Sequence, residues 1–341
     1  MKGLLLFKDN QNQKTIFSLG TRDNLSDHWV EMKNYFLKHG IDLVLKSDEK
    51  FQHDFEIHID VNDKIRAEVP CFLLIWENKN IFPKNIKKKY LYNRYERIFS
   101  YDPEINNLLN TSKYYMPVMR SVKQLPNGYK NRKKLLVMIA NNKSFPNFNF
   151  KDNLYRERVK TIRWFEKNFP EDFCLYGSGW NMSARMPSIL GGMIHKIEKK
   201  FFYNKFKFRS WKGTVDSKKN VLMNSKFSIV YENVLNQKNY ITEKIFDSFS
   251  YGNVPIYLGC KNILDFIPKN CFIDRRDFNS LEQLYLFLNN IKEDNYIEYQ
   301  NNILNFLKKE INGKFSIKNF IETVPKKIIF DLQKCINSNN N

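Results

Sequence analysis

The chain of 341 residues has few of the residues that shape specialised protein classes, with 12 glycines, 11 prolines and 5 cysteines. So few glycines and prolines exclude collagen-like and low-complexity chains. The number of cysteines is odd and no C-x-x-C pair occurs, so neither a disulfide framework nor a zinc cluster fits. The histidines also lack ligand spacing, and we interpret His53 and His58 as surface residues. A reducing, cytoplasmic compartment is the natural prediction.

The chain also lacks long apolar runs. Its N-terminal run, Leu4–Phe7, is too short for the core of a signal peptide. No stretch approaches the roughly 20 apolar residues that a membrane-spanning helix needs. The sequence therefore predicts a protein that is soluble or attached to a membrane surface.

Acidic residues are in the minority, since 36 Asp and Glu against 56 Lys and Arg give a formal net charge of +20. Such an excess favours polyanionic partners, namely nucleic acid, anionic lipid or phosphate-bearing ligands. The alternative is a solvated basic surface, which the spread of the basic residues along the chain and the lack of a known nucleic-acid-binding motif favour. The densest basic cluster consists of Lys84, Lys87, Lys88 and Lys89, followed by Arg94 and Arg97.

Apolar and aromatic residues are plentiful, at 42% and 15% of the chain, which excludes intrinsic disorder. The length suits about two domains. Near the N-terminus, an apolar strand at Leu4–Phe7 precedes a helical pattern at Asp27–Lys38, which Gly40 ends, and a second strand follows at Ile41–Leu45. A strand, a helix and a strand with short connections are typical of a parallel sheet.

The composition changes at residues 124–134, which read QLPNGYKNRKK and predict a linker. A second series of strands and helices follows. Further predicted strands are Phe55–Val61, Cys71–Trp76, Leu135–Ala140, Phe173–Tyr176, Phe227–Tyr231 and Val254–Leu258, and further predicted helices are Tyr155–Asn168 and Thr242–Tyr251. We therefore predict an α/β protein whose domains cover residues 1–130 and 131–319, with a C-terminal helix or tail at 320–341. In such sheets, ligands bind at the carboxyl ends of the strands.

The start of the helix near residue 242 contains the residues best suited to binding a charged ligand. Thr242 is placed to cap this helix, and free N–H groups at a helix start bind anions. Lys244 lies in the first turn, where a cation opposes the helix dipole. Such a local cost is expected where a residue serves function. Lys244 therefore either reaches solvent or binds an anion such as a diphosphate.

Two carboxylates and an amide accompany this helix. Glu243 either binds the hydroxyls of a ribose, as acidic residues do in dinucleotide folds, or only compensates the helix dipole. Glu232 and Asn233 end an apolar strand. They either face a ligand between the domains or hydrogen-bond to the loop backbone.

The order of residues over 226–278 resembles the C-terminal signature of the glycosyltransferase family 10 fucosyltransferases. Such an extended match is more specific than a short motif. The elements of the signature that are present are Lys226-Phe227, Glu232-Asn233, Tyr240-Ile241-Thr242-Glu243-Lys244, Gly252, Pro255, Gly259, Pro268, Phe272-Ile273 and Asp277-Phe278.

The resemblance implies roles for individual residues. Upstream, Glu157-Arg158-Val159-Lys160 looks like the arginine-bearing helix of the family, which implies that Arg158 contacts the donor diphosphate; the alternative is an arginine on the helix surface. Trp76-Glu77-Asn78 is similar to the segment with the family's catalytic base, which implies that Glu77 is the base; the alternative is a solvated loop glutamate. The donor-binding residues implied are Arg158, Glu232, Asn233, Tyr240, Thr242, Glu243 and Lys244.

The resemblance further implies a GT-B type fold, in which two Rossmann-like domains face a central cleft, with the acceptor half N-terminal and the nucleotide half C-terminal. The implied reaction is inverting transfer of L-fucose from GDP-fucose to a glycan hydroxyl, commonly in α1,3 linkage to N-acetylglucosamine of a surface polysaccharide or lipopolysaccharide. No D-x-D triplet occurs, so we expect neither a metal ion nor another cofactor. The alternatives are a GT-B transferase that uses another nucleotide sugar and a basic nucleic-acid-binding protein.

The charge excess suits a cytoplasmic enzyme in peripheral contact with an anionic inner membrane. The segment Phe320–Ile336 is apolar and basic, and two interpretations are open. It is either an amphipathic membrane anchor or a helix docked on the protein body, and Pro325 interrupts its helical pattern.

Overall fold

The computed structural model describes residues 1–7, 15–19, 26–45, 52–108, 110–118, 122, 125, 128–144, 151–182, 184, 193 and 208–339. These residues divide into two compact units. Unit 1 comprises Met1–Met119 and Asn312–Asn341, and unit 2 comprises Arg120–Ile311.

The described residues form eleven strands and ten α-helices. The strands are β1 (Lys2–Phe7), β2 (Asp42–Leu45), β3 (Phe55–Ile59), β4 (Cys71–Leu74), β5 (Arg97–Ser100), β6 (Thr111–Lys113), β7 (Lys134–Ile139), β8 (Phe173–Tyr176), β9 (Ser225–Tyr231), β10 (Val254–Leu258) and β11 (Ile273–Asp274). The helices are α1 (Asp27–Lys38), α2 (Lys84–Lys87), α3 (Pro103–Asn106), α4 (Leu154–Asn168), α5 (Lys219–Asn224), α6 (Glu243–Ser250), α7 (Leu281–Asn290), α8 (Glu293–Lys309), α9 (Ile317–Thr323) and α10 (Pro325–Asn339).

Unit 1 contains a parallel sheet of six strands in the order β2-β1-β3-β4-β5-β6. The predicted unit of strand, helix and strand is confirmed, because α1 connects β1 to the parallel neighbour β2. Trp29, Met32 and Phe36 of α1 are buried. Every residue of β3 and of β4 is buried, as expected for inner strands of a parallel sheet that is covered on both faces.

Unit 2 contains a parallel sheet of five strands in the order β11-β10-β9-β7-β8. The central strand β9 pairs with β7 on one side and with β10 on the other. The residues that follow β9 therefore emerge at the middle of the carboxyl edge, where ligands bind in doubly wound sheets.

The two units divide the chain differently from the domains that we predicted. Arg132, in the predicted linker, donates to the carbonyls of Leu222 at 2.7 Å and of Ser225 at 2.9 Å, and these bonds fasten the linker to unit 2. Gln124, Pro126 and Asn127 of that linker lie outside the described residues.

The C-terminal helices belong to unit 1 rather than to a separate tail. The ring of Phe320 packs edge-on against His28 and Trp29 of α1. Arg97 of β5 donates to both carboxylate oxygens of Asp331, at 2.5 Å and 2.8 Å. Pro325 opens α10, where its missing N–H costs nothing.

Most apolar side chains of Phe320–Ile336 are used in this packing, in accordance with the docked-helix interpretation. The buried ones are Phe320, Val324, Ile328, Ile329 and Leu332, while Phe330 and Ile336 are exposed. Peripheral membrane contact stays a prediction. No described helix combines the length and apolar character that a membrane crossing requires.

Candidate functional site

The candidate donor site is organised by Glu232, the residue that directly follows β9. Its side chain is fully buried. Oxygen Oε1 accepts a hydrogen bond from the N–H of Thr242 at 2.9 Å, and Oε2 lies 2.8 Å from the Thr242 hydroxyl and 3.0 Å from Lys244 Nζ. The carboxylate therefore ties the end of the central strand to the start of α6.

Thr242 occupies the N-cap position of α6, as predicted, but its hydroxyl makes no capping bond to the helix. The hydroxyl instead donates to Glu232 and accepts from Lys244 Nζ at 2.9 Å. The expectation that the Thr242 side chain caps this helix is therefore wrong. Because the Thr242 hydroxyl does not accept from them, the first-turn N–H groups of α6 can donate to another acceptor. Anion binding at a helix start requires such N–H groups.

The Lys244 side chain is held by neighbouring residues of unit 2 and does not extend into solvent. Its side chain is 24% exposed, and its ammonium lies 4.0 Å from the Glu243 carboxylate as well as against Glu232. Burial alone would lower the pKa of Lys244, but the two carboxylates outweigh it and raise the pKa above its ordinary value. An ammonium has three N–H donors, of which Glu232 and Thr242 take two. Lys244 is thus a charged, oriented lysine with a donor left for a ligand.

Glu243 is one-third exposed in the first turn of α6. Burial raises its pKa, whereas Lys244 and Lys218 lower it, and the net shift is downward. The carboxylate is therefore ionised at neutral pH and compensates the helix dipole. Its contact with a ribose stays a prediction.

Arg158 lies on the inner face of α4 and is only 4% exposed, which rules out the helix-surface alternative. Its Nη2 donates to the carbonyls of Tyr231 at 2.7 Å and Glu232 at 2.8 Å, and to Asn233 Oδ1 at 3.0 Å. Within the described residues, all of its hydrogen bonds leave from Nη2, so Nη1 and Nε keep donors for a ligand. Burial lowers the pKa of the guanidinium, which nevertheless stays charged because arginine is a very strong base.

Asn233 extends this network to Tyr240. Its Nδ2 donates to the Tyr240 hydroxyl at 3.3 Å, and Tyr240 is buried. Hydrogen bonds and close ion pairs thus connect all the predicted donor-binding residues at the carboxyl edge of the unit 2 sheet. They are Arg158, Glu232, Asn233, Tyr240, Thr242, Glu243 and Lys244.

The loop between β9 and α6 is held in shape by asparagines. Asn236 and Asn239 have φ angles of 62° and 60°, in the left-handed region that asparagine tolerates. The Asn239 N–H donates to Asn262 Oδ1 at 3.0 Å, and Asn262 Nδ2 donates back to Asn239 Oδ1 at 3.0 Å. These bonds fix the path of the chain into Tyr240 and Thr242.

Lys218 is a residue of this site that sequence reasoning missed. It forms an ion pair with Asp247 of α6, with 2.5 Å between Nζ and Oδ2. Lys218 also contributes to lowering the pKa of Glu243. In a chain so rich in lysine, nothing in the local sequence marks this one.

Glu77 lies in unit 1, shortly after β4, and is half-buried. Its N–H donates to Asp60 Oδ1 at 2.9 Å, as does the N–H of Trp76 at 2.9 Å. Asn85 Nδ2 bridges Asp60 Oδ1 and the Glu77 carbonyl at 2.8 Å and 3.1 Å. The backbone at Glu77 is thus fixed by two side chains, those of Asp60 and Asn85, whereas the sequence left a solvated loop glutamate as the alternative to a base. The catalytic role of Glu77 stays a prediction.

Asp60, which anchors Glu77, was also missed, because the predicted strand Phe55–Val61 ran through it. The strand ends at Ile59, and Asp60 has a φ of 66°. Its carboxylate is buried and serves the turn after β4.

Comparisons with known proteins bear on this site. Residues 166–308 match the family model described as glycosyltransferase family 10 (fucosyltransferase), C-terminal. Residues 166–308 belong to glycosyltransferase family 10. The resemblance drawn from the sequence is confirmed for this family 10 region, which contains Glu232 and the start of α6.

Curated relatives match a short part of the chain. An alpha-(1,4)-fucosyltransferase of Arabidopsis thaliana is 37% identical over 76 residues, which is 22% of this chain and 19% of that protein. The 4-galactosyl-N-acetylglucosaminide 3-alpha-L-fucosyltransferase 9 of Mus musculus is 39% identical over 80 residues, which is 22% of each chain. The matched stretch thus spans less than a quarter of the length of these relatives.

Solved structures match almost the whole chain at low sequence identity. The crystal structure of an alpha1,3-fucosyltransferase aligns with a TM-score of 0.51 and 14% identity, over 98% of this chain and 89% of that one. An alpha-glucosyltransferase, solved with UDP-glucose and DNA containing an abasic site, aligns with a TM-score of 0.51 and 12% identity, over 97% and 98%. The predicted α/β fold of GT-B type is confirmed, with one parallel sheet in each unit.

Proposed function

We propose that this protein is an inverting fucosyltransferase that moves L-fucose from GDP-fucose to a hydroxyl group of a glycan. The observation that carries the proposal is the bonded cluster of Arg158, Glu232 and Lys244 inside the family 10 region. Two cations there contact one strand-end residue and keep donors for an anionic ligand.

The donor diphosphate would bind at this cluster. Arg158 offers Nη1 and Nε, Lys244 offers its third N–H, and α6 offers its first-turn amides. These donors would stabilise the negative charge that grows on GDP as it leaves, which is electrostatic catalysis by pre-oriented groups. In this proposal the chain itself supplies that positive charge, so neither a metal ion nor another cofactor is invoked.

The sugar and nucleoside parts of the donor would contact the same network. Glu243 is ionised and one-third exposed, so it would accept hydrogen bonds from the ribose hydroxyls. Asn233 and Tyr240 would orient the ribose and the fucose, because their polar groups are already linked to Arg158.

Glu77 would act as the general base. It would take the proton from the acceptor hydroxyl while that oxygen attacks the anomeric carbon from the face opposite GDP. The transition state would have oxocarbenium character, as in glycoside hydrolysis. The fixed backbone at Glu77 supports this role, because a base must be held within hydrogen-bond reach of its proton.

For the acceptor, we propose N-acetylglucosamine of a surface polysaccharide or lipopolysaccharide, in α1,3 linkage. The Mus musculus relative, whose name specifies a 3-alpha-L-fucosyltransferase acting on a 4-galactosyl-N-acetylglucosaminide, supports this acceptor. We further propose a cytoplasmic location with peripheral contact to the anionic inner face of the membrane, which the net charge of +20 supports.

Calorimetric titration tests the donor assignment. GDP-fucose and UDP-galactose are compared in EDTA and again in Mg²⁺, and we expect GDP-fucose alone to bind, equally well in both buffers. Lys244→Ala should weaken binding, whereas Lys160→Ala, which removes an exposed lysine of α4, should not. Preference for UDP-galactose would contradict GDP-fucose as the donor and favour a GT-B transferase that uses another nucleotide sugar.

Nucleic-acid binding has less support as a function. In the densest basic cluster, Lys84 and Lys88 both pair with Asp63, at 3.0 Å and 2.7 Å. Part of that charge is therefore already neutralised within unit 1. Strong, steeply salt-dependent binding of DNA or RNA in a filter assay would overturn this ranking.

A further inference from the structure

A second group of chemically active side chains lies inside unit 1, on β3 and β4. The interpretation of His53 and His58 as surface residues is wrong, because His58 is fully buried and the His53 side chain is 6% exposed. Glu56 and His58 are two residues apart on β3 and therefore project to the same face. Cys71, the first residue of β4, pairs with Glu56 in the register of the two strands.

The side chains of His53, His58 and Cys71 converge on the Glu56 carboxylate. Oε1 lies 2.8 Å from His53 Nε2, and Oε2 lies 2.7 Å from His58 Nε2 and 3.9 Å from Cys71 Sγ. The donor atoms of Glu56, His58 and Cys71 all lie within 4.8 Å of one another. All the other side chains of β3 and β4 are apolar. The polar groups are thus concentrated at one point of an otherwise apolar layer.

We propose that this cluster binds one divalent transition-metal ion, of which Zn²⁺ fits best, through Glu56, His58 and Cys71, with water as the fourth ligand and His53 holding the Glu56 carboxylate from the outer side. Imidazole, carboxylate and thiolate are the ligands that zinc takes in four-coordinate sites. Metal–ligand bonds of about 2.0–2.3 Å place tetrahedral ligands about 3.3–3.6 Å apart. The distances from Glu56 Oε2 to His58 (2.7 Å) and to Cys71 (3.9 Å) lie on either side of that separation, so side-chain adjustments of about 1 Å would bring the three donor atoms around one ion.

Charge balance favours such an ion at this depth. One neutral imidazole, one carboxylate and one thiolate cancel the charge of a divalent cation, so the complete site is neutral. Burial of a neutral site avoids the large desolvation cost of an unpaired charge. The Cys71 thiol would release its proton to solvent when the metal binds.

The surroundings provide an orienting contact and an entry path. His58 Nδ1 lies 3.0 Å from the buried hydroxyl of Tyr95, which would hold the ring with Nε2 toward the metal. On the outer side, Arg66 Nη1 lies 3.4 Å from His53 Nε2, and Arg66 is exposed. Movement of Arg66 into solvent would open the site at His53.

Cobalt titration of the full chain tests the site without any measurement of sugar transfer. Chelator-treated protein is titrated with Co²⁺, whose thiolate complex gives a charge-transfer band in the near ultraviolet. We expect the band to saturate at one Co²⁺ per chain and Zn²⁺ to remove it by competition. Protein purified without chelator should contain one equivalent of zinc by mass spectrometry. A wild-type protein that develops no thiolate band would overturn the proposal and leave a metal-free hydrogen-bond network.

Variants assign the ligands. Cys71→Ser should abolish the band, whereas Cys174→Ser, which removes an equally buried thiol on β8 of unit 2, should leave it unchanged. Should Cys71→Ser fail to fold, His53→Ala at the outer edge provides a milder variant, and we expect it to weaken Co²⁺ binding about tenfold or more. An unchanged band in Cys71→Ser would overturn the assigned ligands, and unchanged Co²⁺ affinity in His53→Ala would overturn the supporting role of His53.

Discussion

Gly259 lies directly against the buried side chain of Glu232. A Cβ atom placed on Gly259 would come within 2.5 Å of Glu232 Cγ and 2.7 Å of Glu232 Cβ. Gly259 follows β10, the neighbour of β9, so its missing side chain leaves the space that the carboxylate fills. The strand-end geometry of the candidate donor site therefore depends on this glycine.

Gly259→Ala should displace Glu232 from Thr242 and Lys244. We expect weaker GDP binding in calorimetry and a loss of about 1–3 kcal/mol in the free energy of urea unfolding, because the neighbouring atoms cannot yield easily. Gly40→Ala is the control, since nothing lies within 4 Å of that position and its φ of +72° gives only local backbone strain. GDP affinity that survives in Gly259→Ala would show that Glu232 does not organise the donor site.

Arg158→Lys should weaken GDP binding about tenfold or more, because an ammonium keeps the charge but not the planar fork. A lysine at this depth would also fail to serve the three oxygens that Nη2 now holds. Arg163→Lys on the exposed face of the same helix is the matched control and should bind GDP normally. Equal affinities in the two variants would remove Arg158 from the diphosphate site.

Glu77→Gln should lower turnover by roughly a hundredfold to ten-thousandfold, the usual contribution of a general base. The affinity for GDP-fucose should not change, and the backbone bond from residue 77 to Asp60 should persist, because the substitution alters only the side chain. Glu104→Gln removes an exposed carboxylate of the same unit and is the control. Near-normal turnover in Glu77→Gln would place the base at another residue.

Local patterns in the sequence predicted the helices and strands of the donor site better than the hydrogen-bond partners of its side chains. The helix after Thr242 was predicted, because an N-cap residue and a following apolar stripe are local signals. The acceptor of the Thr242 N–H was not predicted. Glu232 comes close to Thr242 only because the loop between them turns back through left-handed residues at Asn236 and Asn239. Side-chain partners across such a loop depend on a path that periodicity does not encode.

Arg158 shows a signal that was present but not used. The buried residues of α4 are Leu154, Arg158, Thr161, Ile162 and Phe165, which recur at helical spacing. Arg158 therefore lies on the apolar stripe, whereas Arg156 and Arg163 lie off it. A cation on the stripe of an amphipathic helix predicts a buried partner, and the strand-end carbonyls supply it.

The burial of His58 was beyond the reach of the sequence for a different reason. Alternation along Phe55–Ile59 separates two faces of a strand, but it does not show whether both faces are covered. That depends on the strand order, in which β3 lies between β1 and β4. Order within a sheet is a property of the whole domain, so the convergence of Glu56, His58 and Cys71 emerged only from the fold.

Asp331→Asn should loosen the attachment of α10 to unit 1. It removes the charge that pairs with Arg97 through two hydrogen bonds at a largely buried position. We expect a loss of about 1–3 kcal/mol in unfolding free energy and faster amide exchange in α10. Glu322→Gln breaks an exposed pair with Lys326 and should leave the unfolding free energy nearly unchanged, because solvent screens that pair. Equal losses in both variants would contradict a specific role for the Arg97 pair.

His28 should make unit 1 sensitive to acid. Its ring is buried and stacks on Trp76 with 5.1 Å between centroids, and Nε2 finds no hydrogen-bond partner among the described residues. Burial lowers the pKa of His28 from 6.5 to about 3. As the pH falls below 6.5, the unfolded chain binds a proton that the folded chain refuses, so stability declines toward pH 3.

His28→Phe removes this titration and keeps an aromatic ring among Trp29, Trp76 and Phe320. We expect the wild type to lose about 2 kcal/mol relative to the variant between about pH 7.5 and about pH 5, measured as the difference in urea-unfolding free energy. Taking the difference cancels the other titrating groups, which both proteins share. If the unfolding free energies of the two proteins instead change in parallel over this range, the prediction is contradicted. Folded His28 would then bind a proton, which requires water or a carboxylate next to its ring at Trp76.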